Sequence, residues 1–300
     1  MKLVATTLTG NSAAIIGDAL ASVALETALA IGGTWAVTVD TDERIDLGGQ
    51  NIRAILDAAT EGVLMLKCAD GSYAKERFFR LPVSEVWTGP THESFPAYRV
   101  KSRVLDGACF RELPKSAEVS RGKFERDAAI LAQYTREHPT DPRWHYYLGE
   151  SFKNLGRHAE AIGAYEACAA LRGWDEESAW ACYRAAECHA ALGAYQKAID
   201  SCAAGLARHA GLAELPWLAA FCAYRLGKHS QAVYWSRMSI AMGRFRGGGA
   251  GVPRIGFRNP SALYEGPYDV LRFALRSLGD AAAAEEAERL YREAIQARES

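Results

Sequence analysis

The sequence predicts an α/β domain of short strands and helices, followed by an all-α array of helix pairs. Three observations lead there. In the first half, β-rich runs alternate with helical ones; from about Ser120 the chain turns Ala-rich; and within that second half Leu-Gly pairs recur at a near-regular interval. A length of 300 residues, 49% hydrophobic and 24% charged, excludes a disordered chain and suffices for two cores.

The elements follow in order. KLVATTL, WAVTVD and VLMLKCA are short runs of strand composition, and SAAIIGDALAS and QNIRAILDAAT, which lie between them, have helical spacing. Such alternation predicts a parallel sheet covered by helices, in which ligands bind beyond the carboxyl ends of the strands. FFRLP, EVWTG, AYRVKSRVL and ACFREL read as shorter strands and turns that finish this domain, placed at residues 1–115. KFERDAAILAQYTREH is a helix, within a bridging segment at 116–140.

In the remainder, 141–300, Leu-Gly turns fall at Leu155-Gly156, Leu192-Gly193, Leu226-Gly227 and Leu278-Gly279. They are spaced 37, 34 and then 52 residues apart, the last being 34 plus an 18-residue insertion. A period near 34 with a Gly turn inside each unit, together with Leu148-Gly149, Ala161 and Tyr165 in the first unit, resembles tetratricopeptide repeats. Later units keep Ala198, Ala232 and Ala284, because paired antiparallel helices approach closely only across small residues. The insertion, at 244–263, is Gly-rich and carries Arg244, Arg246, Arg254 and Arg258 without an acid. It reads as an unstructured basic loop, or as a contact for an anionic phosphate, but not as a Walker loop, since it has no Lys-Ser/Thr ending. Tyr146, Tyr147, Trp180 and Tyr183 are candidates either to line a groove or to pack between helices. The terminal helix AAAAEEAERLYREAIQARE would cap the array or dimerise.

Charge and cysteines narrow the class. A net charge of −1 offers no general attraction to nucleic acid or anionic lipid. Seven cysteines, an odd number without a CxxC pair, read as reduced thiols of a cytoplasmic protein. Asp18 and Glu26 interrupt the N-terminal region, so neither a signal peptide nor a membrane span is expected.

Two clusters carry candidate chemistry. Asp40 and Asp42 stand one residue apart at the end of WAVTVD, where two carboxylates can converge on a hard cation such as Mg²⁺ or Mn²⁺. WTGPTHE places Trp87, His92 and Glu93 on a Gly-Pro loop, with an imidazole able to complete a metal site and a carboxylate able to take a proton. Taken together, WAVTVDTDERI, FFRLP and VWTGPTHESF followed by the helical repeats resemble the family 2 glycosyltransferases with C-terminal tetratricopeptide repeats.

That resemblance implies a Rossmann-like GT-A nucleotide-sugar domain and a metal-dependent inverting transfer to a glycan, peptide or protein acceptor, with a UDP-sugar as the expected donor. It implies that Asp42, Asp40 and His92 hold Mn²⁺ or Mg²⁺, that Arg80 and Trp87 join the two aspartates in donor binding, and that Glu93 is the catalytic base. The chain departs from the family's pattern early. About 33 residues separate Thr7 from Asp40, too few for two further strand-helix units, so the domain is shortened. Either a segment is absent between Val23 and Ala24, or Ser12 to Ile31 form one long helix. The alternative from a different class is a non-catalytic interaction protein in which a degenerate transferase domain supports the repeats.

Overall fold

A computed structural model describes residues 3–8, 28–40, 42–71, 73–83, 85, 87–92, 95–245 and 257–299, with backbone alone for 3–8. The chain divides into two compact units, Met1–Leu131 and Ala132–Ser300.

The first unit is built on a six-stranded sheet. Its strands are β1 (Leu3–Leu8), β2 (Trp35–Asp40), β3 (Glu43–Asp46), β4 (Val63–Cys68), β5 (Ala74–Arg80) and β6 (Ser102–Glu112), in the spatial order β1-β2-β5-β4-β6-β3. The expected parallel sheet is corrected to a mixed one. β1 and β2 are parallel, as are β4 and β6, whereas β5 runs antiparallel to both of its neighbours and β3 runs antiparallel to β6. The cause is connection length: β4 and β5 are joined by a turn over 69–73, in which Gly71 has φ +73°, and a turn that short closes a hairpin and never a crossover. AYRV forms a 3₁₀ turn at Ala97–Arg99, and the residues after it make a single long β6.

Side chains alternate across the sheet. Trp35, Val37, Leu64, Leu66, Phe78 and Phe110 face one core, where Leu56 of helix α1 (Ile52–Ala58) packs, while Ala36, Val63 and Phe79 face another with Ala28 and Phe95. Covering both faces explains why adjacent strand positions are apolar. Asn51 caps α1 by accepting the Ala54 N–H at 3.2 Å. Of the anticipated helix from Ser12 to Ile31, only residues 28–31 lie among the described residues. The junction between Val23 and Ala24 falls outside them.

Helix α2 (Ala117–Glu137) follows the sheet. The second unit then pairs α3 (Pro142–Asn154) with α4 (His158–Leu171), α5 (Asp175–Ala191) with α6 (Tyr195–Leu206), α7 (Glu214–Arg225) with α8 (His229–Met242) and α10 (Gly266–Ser277) with α11 (Ala281–Glu299). A one-turn helix α9 (Pro260–Leu263) precedes α10. Each pair stacks on the next, as a helical-repeat array requires.

Each Leu-Gly pair closes its turn identically. Gly156, Gly193, Gly227 and Gly279 have φ between +71° and +81°. The N–H of each Gly donates to a carbonyl three residues back, and the next N–H reaches the carbonyl five back, as from Arg157 to Phe152 and from Ala194 to His189. This double closure satisfies carbonyls that the helix end would leave open. Close packing follows from the small residues: Ala161, Ala198 and Ala232 are fully buried and Ala284 nearly so. At Gly149 a Cβ would fall 2.6 Å from the Tyr165 ring. The cysteines are free thiols, and Cys168, Cys182, Cys188, Cys202 and Cys222 are buried among these helices as small hydrophobes.

Candidate functional site

At the end of β2 the structure gives Asp40 and Asp42 different partners. The Asp40 carboxylate lies 3.3 Å from Arg77 and 3.4 Å from Lys75, both on β5. Glu43, fully buried at the start of β3, joins the same group, 2.7 Å from Lys75 and in contact with Arg77. Lys75 and Arg77 thus serve Asp40 and Glu43 together, and Lys75 also lies 3.6 Å from Glu112. Burial opposes ionisation of Asp40, but Arg77 and Lys75 outweigh it and hold the carboxyl below its usual range. Asp42 instead pairs with Lys115, in the segment leading to α2. Among the described residues, no cluster of three or more His, Cys, Asp or Glu is arranged to hold a metal ion.

The other candidates are dispersed. Arg80 donates to the carbonyls of Glu61 and Ala59 at the end of α1, and its guanidinium sits 4.6 Å from the Trp35 ring centre. Trp87 packs between Phe79 and Phe95, at 4.8 and 4.9 Å between ring centres. His92, with φ +52°, turns toward α2, where its Nε2 lies 3.5 Å from the buried Asp127 carboxylate. Thr91 donates to the other oxygen of that carboxylate at 3.2 Å. Glu93 lies outside the described residues. A depression of about 460 Å³ in this unit is lined by Ile55, Ala58, Glu61 and Arg103, and none of the candidate residues lines it.

A denser site lies in the repeat array. Tyr146 on α3 and Trp180 and Tyr183 on α5 are almost fully buried. Part of their cover is the last stretch of the insertion: Phe257 stacks on Trp180, and its ring centre lies 5.5 Å from Tyr146 and 5.6 Å from Trp174. The Phe257 N–H donates to Glu176 Oε1 at 3.2 Å, and the Asn259 N–H donates to Glu214 Oε1 at 2.8 Å. Asn259 Nδ2 also donates to the Tyr183 hydroxyl at 3.2 Å. The backbone of Asn259 is extended, with φ −119° and ψ 108°. The base of the insertion is pinned by the Arg244 N–H on the Leu263 carbonyl at 2.8 Å.

Charged groups continue along the same helices. Arg184 lies 3.1 Å from Glu150 and 2.9 Å from Glu187, and Lys153 lies 2.9 Å from Glu187. Burial disfavours the Glu187 carboxylate, yet Arg184 and Lys153 outweigh it and lower its pKa. Tyr165 donates to Glu150 at 2.6 Å and so ties α4 into the network.

Of the insertion's arginines, Arg244 and Arg258 are exposed, and Arg246 and Arg254 lie outside the described residues. Sequence reasoning named Tyr146, Trp180 and Tyr183 but missed Glu176, Glu214, Phe257 and Asn259. The available signal was Asn-Pro: Asn259 caps α9, accepting the Ser261 N–H at 3.2 Å, with Pro260 at its first turn.

The chain has a mostly helical, tetratricopeptide-like repeat fold with a small N-terminal sheet. Three solved structures illustrate what it is similar to. One is MamA 41-end from Desulfovibrio magneticus RS-1, at 18% identity and TM-score 0.47, covering 61% of this chain and 91% of that one. Another is BtubC from P. vanneervenii, at 16% identity and TM-score 0.48, covering 61% and 77%. The third is a Podosopora anserina putative kinesin light chain with nearly identical TPR-like repeats, at 17% identity and TM-score 0.44, covering 61% and 90%. No protein-family model and no curated protein matches the chain.

Two expectations are corrected by these findings. The resemblance to family 2 glycosyltransferases does not hold: the solved structures named here are of MamA and TPR-like repeat proteins, and no GT-A domain is among them. The enzymatic reading falls with it, and so does support for a nucleotide-sugar donor. Among the described residues no helix is long and apolar enough to cross a membrane.

Proposed function

We propose that this chain is a non-catalytic interaction protein whose repeat array binds an extended peptide segment of a protein partner. One observation carries the reading: the array already holds an extended segment, taking backbone N–H groups on Glu176 and Glu214 and an aromatic side chain on Trp180. Carboxylates on successive helix pairs that receive main-chain donors suit any extended peptide, and the aromatic wall supplies apolar area and selectivity. The first unit, whose Asp40 and Asp42 are held in ion pairs, supports the array in this reading and performs no reaction.

A peptide-display selection tests it, run on the full chain and on Glu176→Gln/Glu214→Gln. Enrichment of extended, aromatic-containing peptides that bind the variant several-fold more weakly is expected. No enrichment by correctly folded protein would overturn the reading.

A further inference from the structure

Residues 257–259, the last stretch of the Gly-rich insertion before α9, sit where the array would receive a partner. Glu176 is 1% exposed and Glu214 is 0% exposed, and carboxylates at such depth are costly unless hydrogen bonds reach them. Each accepts a main-chain N–H from the insertion, at positions 257 and 259, the two-residue period of an extended strand. Phe257 fills the space bounded by Tyr146, Trp174 and Trp180, and Asn259 reaches the Tyr183 hydroxyl.

The attachment is divided. Ala262 and Leu263 of α9 are buried, and the Arg244–Leu263 hydrogen bond closes the base of the insertion independently of the groove. Arg258 and Pro260 are exposed, and Phe257 is half-buried. Residues 257–259 can therefore leave the groove by pivoting on α9 while the helix pairs stay packed. The contacts described for them there, two main-chain donors, one ring and one amide, are ones that another extended chain can supply.

We propose that Phe257–Asn259 is an intramolecular competitor, and that the partner presents the same chemistry, an extended peptide with an aromatic side chain two residues before an asparagine, which displaces it. This rests on the peptide-binding reading above and adds regulation to it. A tethered competitor acts at an effective concentration of about millimolar, so only a partner that binds well or is itself locally concentrated gains the groove.

The test uses a fluorescein-labelled peptide copying residues 255–261, IGFRNPS, titrated by anisotropy against the full chain and against Phe257→Ala/Asn259→Ala, with circular dichroism confirming that both are folded. The double variant should bind at least about tenfold more tightly than the wild type, since its own segment no longer competes. Adding Tyr183→Phe to the double variant should weaken binding, and replacing the peptide's phenylalanine or asparagine by alanine should abolish it. Equal affinity for both chains would overturn the competitor and leave the peptide-binding groove standing. No binding to either folded chain would overturn both.

Discussion

Phe257 and Trp180 lie face to face, their ring centres 5.4 Å apart and their planes 14° from parallel, although they stand 77 positions apart in the chain (257 − 180). Such stacking, with the apolar area it covers, is worth about 1–2 kcal/mol. Phe257→Ala should lower the unfolding free energy of the repeat unit by that amount, read from urea midpoints. An unchanged midpoint would show that the segment contributes nothing to the array.

Gly149→Ala sets helix propensity against packing. Alanine favours a helix interior by about 1 kcal/mol over glycine, but the added Cβ meets the buried Tyr165 ring, where overpacking costs about 1–3 kcal/mol. Tyr165 is held by Glu150, so the ring has little room to retreat and packing wins. The substitution should destabilise, as thermal melts would report.

Gly163 and Gly193 make a contrasting pair. Gly163 is exposed inside α4 with nothing near its missing Cβ, so Gly163→Ala should stabilise by about 0.5–1 kcal/mol. Gly193 also has open space around it, yet its φ is +74°, and Gly193→Ala should cost about 1–2 kcal/mol through backbone strain alone. Opposite shifts in melting midpoint are expected from the two variants.

A divalent cation at Asp40 and Asp42 would have to displace Lys75, Arg77 and Lys115 from their carboxylates. Saturating Mn²⁺ should therefore leave the melting midpoint where it is. A metal-dependent rise that disappears in Asp42→Asn would reinstate a cation site.

Acid should weaken the contact between Asp127 and the loop that carries Thr91 and His92. Burial works against the Asp127 carboxylate, but His92 outweighs it and holds the pKa below the usual range. A group lowered in the folded state stabilises above its unfolded pKa, about 4, and loses that contribution as the pH falls through the folded value. The gap in melting midpoint between wild type and Asp127→Asn should be full near pH 5 and shrink as the pH falls below about 4.

The sequence by itself determined what five or six neighbouring residues can settle. Leu155-Gly156 and its three counterparts marked helix ends because a glycine at positive φ and two hydrogen bonds close each turn within one short segment. Ala161, Ala198, Ala232 and Ala284 marked buried seams because small size at a fixed helical position has one packing consequence.

Tertiary structure decided the rest, because charge pairing and strand direction depend on groups brought together from afar. Asp40 and Asp42 looked alike in sequence, and only the arrival of Arg77 and Lys75 from one strand and Lys115 from another segment separated their fates. The direction of β5 followed from its short connection to β4, which closes an antiparallel hairpin. Trp180 read as core more than as groove, and the fold made it both: a wall of packed helices that the chain covers with its own Phe257.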